Sequence, residues 1–178
     1  MIKKGRMDRS TRVIIATLTV LVCAVAILAY MNAGNLDTKR ELEEKAEFLL
    51  TSAENQYRLT MQDICDLGPV DFVAVMDTST TEPTPISFSG VELSRLLEEY
   101  QIEFHEGSTI QVQALDGYAS AVTGREVLAK DNVYLCTYMN GEVLKPKQEG
   151  GFGPYLMVVK NDTFSQRWCK FVEEIVVR

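Results

Sequence analysis

An uncharged run of 19 residues, 13–31, sets the first constraint on this chain. Coiled as an α-helix rising about 1.5 Å per residue, it reaches roughly the thickness of a bilayer's hydrocarbon core. The run therefore reads as a transmembrane helix. Lys3, Lys4, Arg6, Arg9 and Arg12 precede it against the single acid Asp8. Such an excess of positive charge keeps the N-terminus in the cytoplasm and exports the residues after the helix. A cleaved signal peptide is the competing reading, but its apolar core is usually shorter and ends in a small-x-small site. Here bulky Met31 stands ahead of any cut after Ala33, so an uncleaved anchor is preferred.

The basic head carries +4, and removing it from the −7 of the whole chain leaves −11 on the exported part. That surplus excludes nucleic acid and anionic lipid headgroups as partners of the exported part, so any anion site must be local. Four cysteines are present, and Cys23 lies inside the apolar run. Cys65, Cys136 and Cys169 match neither a zinc spacing nor a Cys-x-x-Cys pair, and Cys136 reads as a small buried hydrophobe of an alternating strand. The single histidine, His105, leaves no support for a catalytic triad or a histidine metal site. Asp63, Asp66, Asp71 and Asp77 lack the glycine and bidentate Glu of a calcium loop and read as solvated charge. Asn161, Asp162 and Thr163 fit a glycosylation acceptor, a pattern too short to carry weight.

Four segments emerge from these patterns: a cytoplasmic basic head at 1–12, the transmembrane helix at 13–31, a polar stalk at 32–45 and a folded domain at 46–178. Within the domain, 48–51 reads as a strand, and Thr60 and Asp63 have the spacing of a helix cap. Residues 70–76 are apolar on both alternating faces except at Asp71, which predicts a central strand. Residues 77–85 read as a loop from their prolines and hydroxyls. Ser89 and Glu92 form a capping-box pattern ahead of Leu93, Leu96, Leu97 and Tyr100, which predicts an amphipathic helix over 90–101. Strands are expected at 109–115 and 118–122, then a short helix opened by Thr123 and Glu126. A further strand at 133–139 should turn at Asn140 and Gly141 into a hairpin. Residues 155–160 and 171–177 complete the strands. Strands mixed with short helices, without a regular long-helix alternation, indicate an α+β fold.

Between Lys145 and Lys170 the chain carries five basic and two acidic residues, a local +3 in acidic surroundings. Gly150, Gly151 and Gly153 allow close backbone approach, and Arg167 and Lys170 come after an apolar strand, a layout suited to an anion. Five blocks carry a family resemblance: Gly90 to Leu97, Ala114 to Tyr118, Asn140 to Leu144, Gly150 to Leu156 and Arg167 to Lys170. In that order and with those gaps, the chain resembles the sulfite-oxidase-type oxidoreductase molybdopterin-binding domain over roughly 48–177. The resemblance implies a mixed-sheet α+β domain behind the membrane helix. It also implies molybdopterin as cofactor, with Gly151, Gly153, Arg167 and Lys170 around the pterin phosphate, where charge-assisted hydrogen bonds favour a dianion.

The chain departs from the family at the metal. Members hold molybdenum with a cysteine thiolate at a strand end, and the matching window here, 76–80, reads Met-Asp-Thr-Ser-Thr. Neither a thioether nor a hydroxyl replaces the charge and softness of a thiolate. No catalytic residue or metal ligand is therefore assigned. The expected function is a membrane-anchored, extracytoplasmic, non-catalytic binding or interaction module with a membrane or extracytoplasmic protein partner. The alternatives are an active molybdopterin-dependent oxidoreductase, and an anchored sensor of small ligands or peptides using the cleft between the 78–85 loop and the Gly150 turn.

Overall fold

The computed structural model describes residues 8–78 and 81–178. Most of the basic head, including Lys3, Lys4 and Arg6, lies outside the described residues, as do Ser79 and Thr80 of the metal-ligand window. The chain divides into two units, 1–40 and 41–178. Helix α1 runs Arg9–Lys45, and its part Ser10–Tyr30, of mean hydropathy 2.7, is the one helix among the described residues long and apolar enough to cross a membrane. Leu18, Val20, Leu21, Val22 and Val25 are all exposed, so this stretch is apolar around its circumference rather than along one stripe.

The second unit is built from two sheets. β1 (Glu47–Thr51), β2 (Gln56–Thr60), β5 (Thr109–Ala114), β6 (Ala119–Thr123) and β10 (Val172–Val177) form the first, in the order β2-β1-β10-β5-β6. β1 and β10 run parallel and the other pairs antiparallel, which makes this sheet mixed. β3 (Val70–Thr78), β4 (Thr81–Glu92), β7 (Val133–Met139) and β8 (Glu142–Val143) form the second in that order, with β9 (Leu156–Val159) also pairing β7. All four of its pairings are antiparallel. Short helices α2 (Met61–Asp66), α3 (Leu93–Glu99) and α4 (Gly124–Leu128) join the strands. The fold is α+β, as the sequence indicates.

Local chemistry explains the elements that match expectation. Thr60 accepts from the Asp63 amide while the Asp63 carboxylate accepts from the Thr60 amide, a capping box that opens α2, and Thr123 with Glu126 repeats it at α4. Asn140 (φ 52°) and Gly141 (φ 79°) take the left-handed conformations of a tight hairpin between β7 and β8. β7 lies between β4 on one side and β8 and β9 on the other, so Val133 through Thr137 are all buried, Cys136 among them.

Three expectations are corrected. β3 is an edge strand, not a central one: Phe72, Ala74 and Met76 point into the core, while Val73 and Val75 remain 56% and 48% exposed. β-branched residues suit a pleated backbone whether or not a second layer covers them, so the apolar run carried no information about the outer face. The expected loop at 77–85 is largely strand, because β4 begins at Thr81 and Pro85 stands opposite Val75. Its prolines are tolerated since β7 reaches only Phe88–Glu92, leaving the first half of β4 with a partner on one side alone. The helix expected from Gly90 starts at Leu93, and Ser89 and Glu92 form no capping box. Gly90 instead pairs Cys136 in the sheet, where a Cβ would stand 2.6 Å from the Leu135 carbonyl oxygen. The apolar stripe of the helix is kept, with Leu93, Leu96 and Leu97 buried.

Candidate functional site

The glycine turn is fastened to the strand before it. After β8, Lys147–Glu149 make one 3-10 turn that closes on Gly150 at φ 75°. Gly151 donates its amide to the Pro146 carbonyl (3.1 Å), and Gly153 donates to the Lys145 carbonyl (2.8 Å). A Cβ on Gly151 would stand 2.0 Å from the Lys145 oxygen, and one on Gly153 would stand 2.5 Å from the Leu144 oxygen. The glycines thus allow two backbone segments to touch. The amides expected to face a phosphate are already engaged by carbonyls of the same chain.

Arg167 is likewise paired within the chain. Its Nε and Nη2 donate to both carboxylate oxygens of Asp162, and Nη2 also donates to Glu126 Oε1, each at 2.5 Å. These bonds, led by the one to Asp162, hold the guanidinium proton more tightly than usual. They also draw the Glu126 carboxyl from its ordinary 4.5 down to about 2, with the Arg167 bond as the largest cause. Around Arg167, backbone carbonyls of the turn Ser165–Arg167 are tied from several elements. Tyr118 donates to the Gln166 carbonyl, Ser120 to the Arg167 carbonyl, and Ser165 itself to the Asp77 carbonyl at the end of β3. Trp168 Nε1 donates to Val159, and its ring meets Phe88 edge-on at 5.7 Å. Arg167 therefore acts as a clamp between α4 and the turn after β9.

Glu126 gives the fold a pH dependence. Because its folded-state carboxyl is depressed, its pairing contributes stability that is fully present above pH 4.5 and lost as pH falls toward about 2. Acid melts of Glu126→Gln are expected to start from a lower melting temperature at neutral pH and to converge on the unsubstituted chain across that window. Parallel curves from pH 5 to pH 2 (about the interval set by the two values) would contradict the pairing.

Lys170 sits differently. Its ammonium lies 3.8 Å from the centroid of the Phe152 ring, a cation–π contact, and burial lowers its affinity for the proton. Among the described residues, no carboxylate lies within 4.0 Å of it. Lys170 lines a cavity of about 240 Å³ with Met76, Thr78, Ser165, Gln166 and Trp168. A second cavity, of about 300 Å³, lies at the glycine turn, where Gly150, Gly151 and Phe152 face Leu144, Lys145, Glu142 and Glu149. Neither is lined by Arg167 or Gly153. The four residues expected around one phosphate are thus distributed: Gly151 on one cavity, Lys170 on another, with Phe152 lining the first and carrying the ammonium of the second.

The sequence pattern missed Phe152, Glu126 and Asp162 as partners of the two cations. Asp162 lies five residues before Arg167 and was within local reach, whereas Glu126 is 41 residues away and only the fold brings it close.

Among the described residues, those expected around a pterin phosphate are not free to meet one, and the two buried thiols, Cys136 and Cys169, do not suit a metal. The candidate amides and Arg167 are engaged internally, and the glycine cavity carries Glu142 and Glu149, with Lys145 already 3.8 Å from Glu142. At about 240 Å³, the Lys170 cavity is below the roughly 300–1,000 Å³ of sites for drug-sized ligands, the size class of a pterin with its phosphate. No group of three or more His, Cys, Asp or Glu side chains among the described residues could hold a metal ion. Cys136 and Cys169 are buried, and burial pushes both thiols up, Cys169 to about 12, away from the thiolate a soft metal requires.

The comparisons with known proteins concern the fold and the family. No curated protein matches the chain. Among solved structures, the sulfane dehydrogenase SoxCD from Paracoccus pantotrophus matches at 20% identity with a TM-score of 0.61, over 74% of this chain and 37% of that one. This chain therefore spans little more than a third of that solved chain's length, and the likeness shows a shared fold. The family described as the oxidoreductase molybdopterin binding domain matches residues 43–178, nearly all of the second unit. By that match, the chain belongs to the oxidoreductase molybdopterin-binding domain family.

Proposed function

We propose that the chain is a membrane-anchored, extracytoplasmic module that keeps the molybdopterin-binding fold and uses it to bind a ligand or partner rather than to catalyse oxidation or reduction. The observation that carries the reading is the engagement of Arg167 by Asp162 and Glu126, together with the Gly151 and Gly153 amides by Pro146 and Lys145. A phosphate would have to displace these partners, and an uncompensated carboxylate pair would remain. The window Met76 to Thr80, which holds no cysteine, supports the same reading. The active-oxidoreductase alternative rests on family membership alone.

The membrane part rests on Ser10–Tyr30 and on the basic residues ahead of it. In this reading, 1–12 is the cytoplasmic head, 13–31 the anchor, 32–45 the stalk and 46–178 the exported domain. A ligand that binds only the folded state raises the melting temperature by mass action. Full chain purified in detergent from a host able to make molybdopterin is expected to melt at the same temperature as chain from a host unable to make it. A clear rise in the first preparation would show that the cofactor displaces the internal partners of Arg167, Gly151 and Gly153, and would remove the observation on which the non-catalytic reading rests.

A further inference from the structure

The cavity between the end of β3 and the segment Trp168 to Lys170 combines features that none of the roles above uses. Lys170 is partly buried, rests on the Phe152 ring, and has no carboxylate within 4.0 Å among the described residues. Arg58, Arg125, Lys145, Lys147, Lys160 and Arg167 each have a carboxylate partner, and Arg95, Lys130 and Arg178, which have none within 4.0 Å among the described residues, are exposed to water, as Lys170 is not. The acid that acts on Lys170, Asp116, does so from beyond 4.0 Å and is itself paired with Lys147, so the partly desolvated ammonium is only weakly compensated, and an aromatic face offsets only part of the loss. The residue after it, Phe171, is held at φ 55°, a left-handed conformation that is uncommon for a bulky side chain. Such strain persists where surrounding contacts over-determine it, here the bonds from the Phe171 amide to Phe152 and from the Leu115 amide to Phe171.

The remaining walls define the ligand. Trp168 has its N–H engaged by Val159 and offers the cavity apolar surface, as does the Met76 thioether. Ser165 donates its hydroxyl proton to Asp77, while Gln166 brings a neutral amide. One cation, neutral polar groups and two apolar walls suit a monoanion with an apolar body better than a dianion, and the neighbouring Arg167 is already neutralised by two acids. A volume of about 240 Å³, below the roughly 300–1,000 Å³ of sites for drug-sized ligands, favours a small ligand.

We propose that this cavity binds a small monocarboxylate with a short apolar body, the carboxylate on Lys170 and the body against Met76 and Trp168. The inference rests on the non-catalytic reading, because the ligand occupies a cavity lined by Met76 and Thr78 of the window in which the family carries its metal thiolate. It assigns Lys170 to a carboxylate in place of the pterin phosphate that the family resemblance implies.

Trp168 is the chain's single tryptophan and lines the cavity, so its fluorescence reports occupancy directly. Full chain in neutral detergent is titrated with isobutyrate, pivalate and inorganic phosphate at constant ionic strength. A saturable change with both carboxylates is expected, half-complete on the order of 1 mM, with phosphate binding more weakly. Lys170→Met, which keeps a stem to pack on Phe152, should weaken carboxylate binding at least about tenfold, and Lys170→Arg should retain it. Met76→Phe, which fills the cavity without altering charge, should abolish it, and a nearly unchanged melting temperature of Lys170→Met guards against a folding defect in that variant. No saturation with either carboxylate, tighter binding of phosphate, or unchanged affinity in Lys170→Met would each overturn the proposal. Molybdenum measured on the same preparation separates the two readings. A chain without metal that ignores carboxylates overturns this inference alone, whereas a stoichiometric metal overturns the reading beneath it.

Discussion

Replacing Arg167 by methionine is expected to lower the melting temperature by about 6–12 °C, corresponding to about 2–3 kcal/mol for a domain of this size. The reason lies in the groups the substitution leaves behind. The Asp162 side chain is 16% exposed and that of Glu126 29%, and the guanidinium is the group that neutralises both. Without it, two partly buried carboxylates face one another, and each has lost a charge-assisted hydrogen bond. The loss stays below the value for a fully buried triad because the arginine is itself 35% exposed and water screens the site. Lys170→Met should shift melting far less, since its ammonium gives up a ring contact and no ion pair. If Arg167 served a phosphate instead, the order would reverse: its loss would leave stability nearly unchanged and would remove cofactor. A melting temperature within about 2 °C of the unsubstituted chain would therefore contradict the clamp.

Gly151→Ala should be at least as damaging, costing about 3 kcal/mol or more, for a reason independent of charge. The added Cβ would stand 2.0 Å from the Lys145 oxygen and 2.5 Å from the Lys145 carbonyl carbon, so backbone, not a mobile side-chain end, must move. Moving it breaks the bonds from Gly151 to Pro146 and from Gly153 to Lys145. Gly150→Ala provides the control. No atom lies within 4 Å of its hypothetical Cβ, and its φ of 75° makes the substitution strained by about 1–2 kcal/mol. Urea melts of the two variants thus separate close packing from conformational freedom. Equal losses at the two positions would show that the turn, and not the contact with Lys145, is what these glycines provide.

These contrasts indicate how far the sequence could be read. Signals that act over three or four residues were legible: Thr60 with Asp63, Thr123 with Glu126, and Asn140 with Gly141 all form the motifs their spacing suggests. Ser89 with Glu92 has equally good spacing and fails, because Gly90 is pulled into the sheet by Cys136, a partner 46 positions later. The second half of β4 is decided by strand pairing, which overrides local helix capping. The same distinction applies to the candidate site. Arg167 and Lys170 could be recognised as cations near a glycine turn, and the family match agrees with the fold they indicate. Their use could not be read, since it depends on Glu126 for one and on the Phe152 ring for the other. Charge is written in the sequence, but neutralisation is a property of the folded chain.

Molybdenum per polypeptide, measured by elemental mass spectrometry on full chain purified in detergent from a host making the cofactor, bears most directly on whether this fold has kept its family's chemistry. With the Gly151 and Gly153 amides bonded to carbonyls, Arg167 bonded to two acids, and no cysteine between Met76 and Thr80, the expected value is indistinguishable from zero. One molybdenum atom per chain, retained through gel filtration, would contradict it.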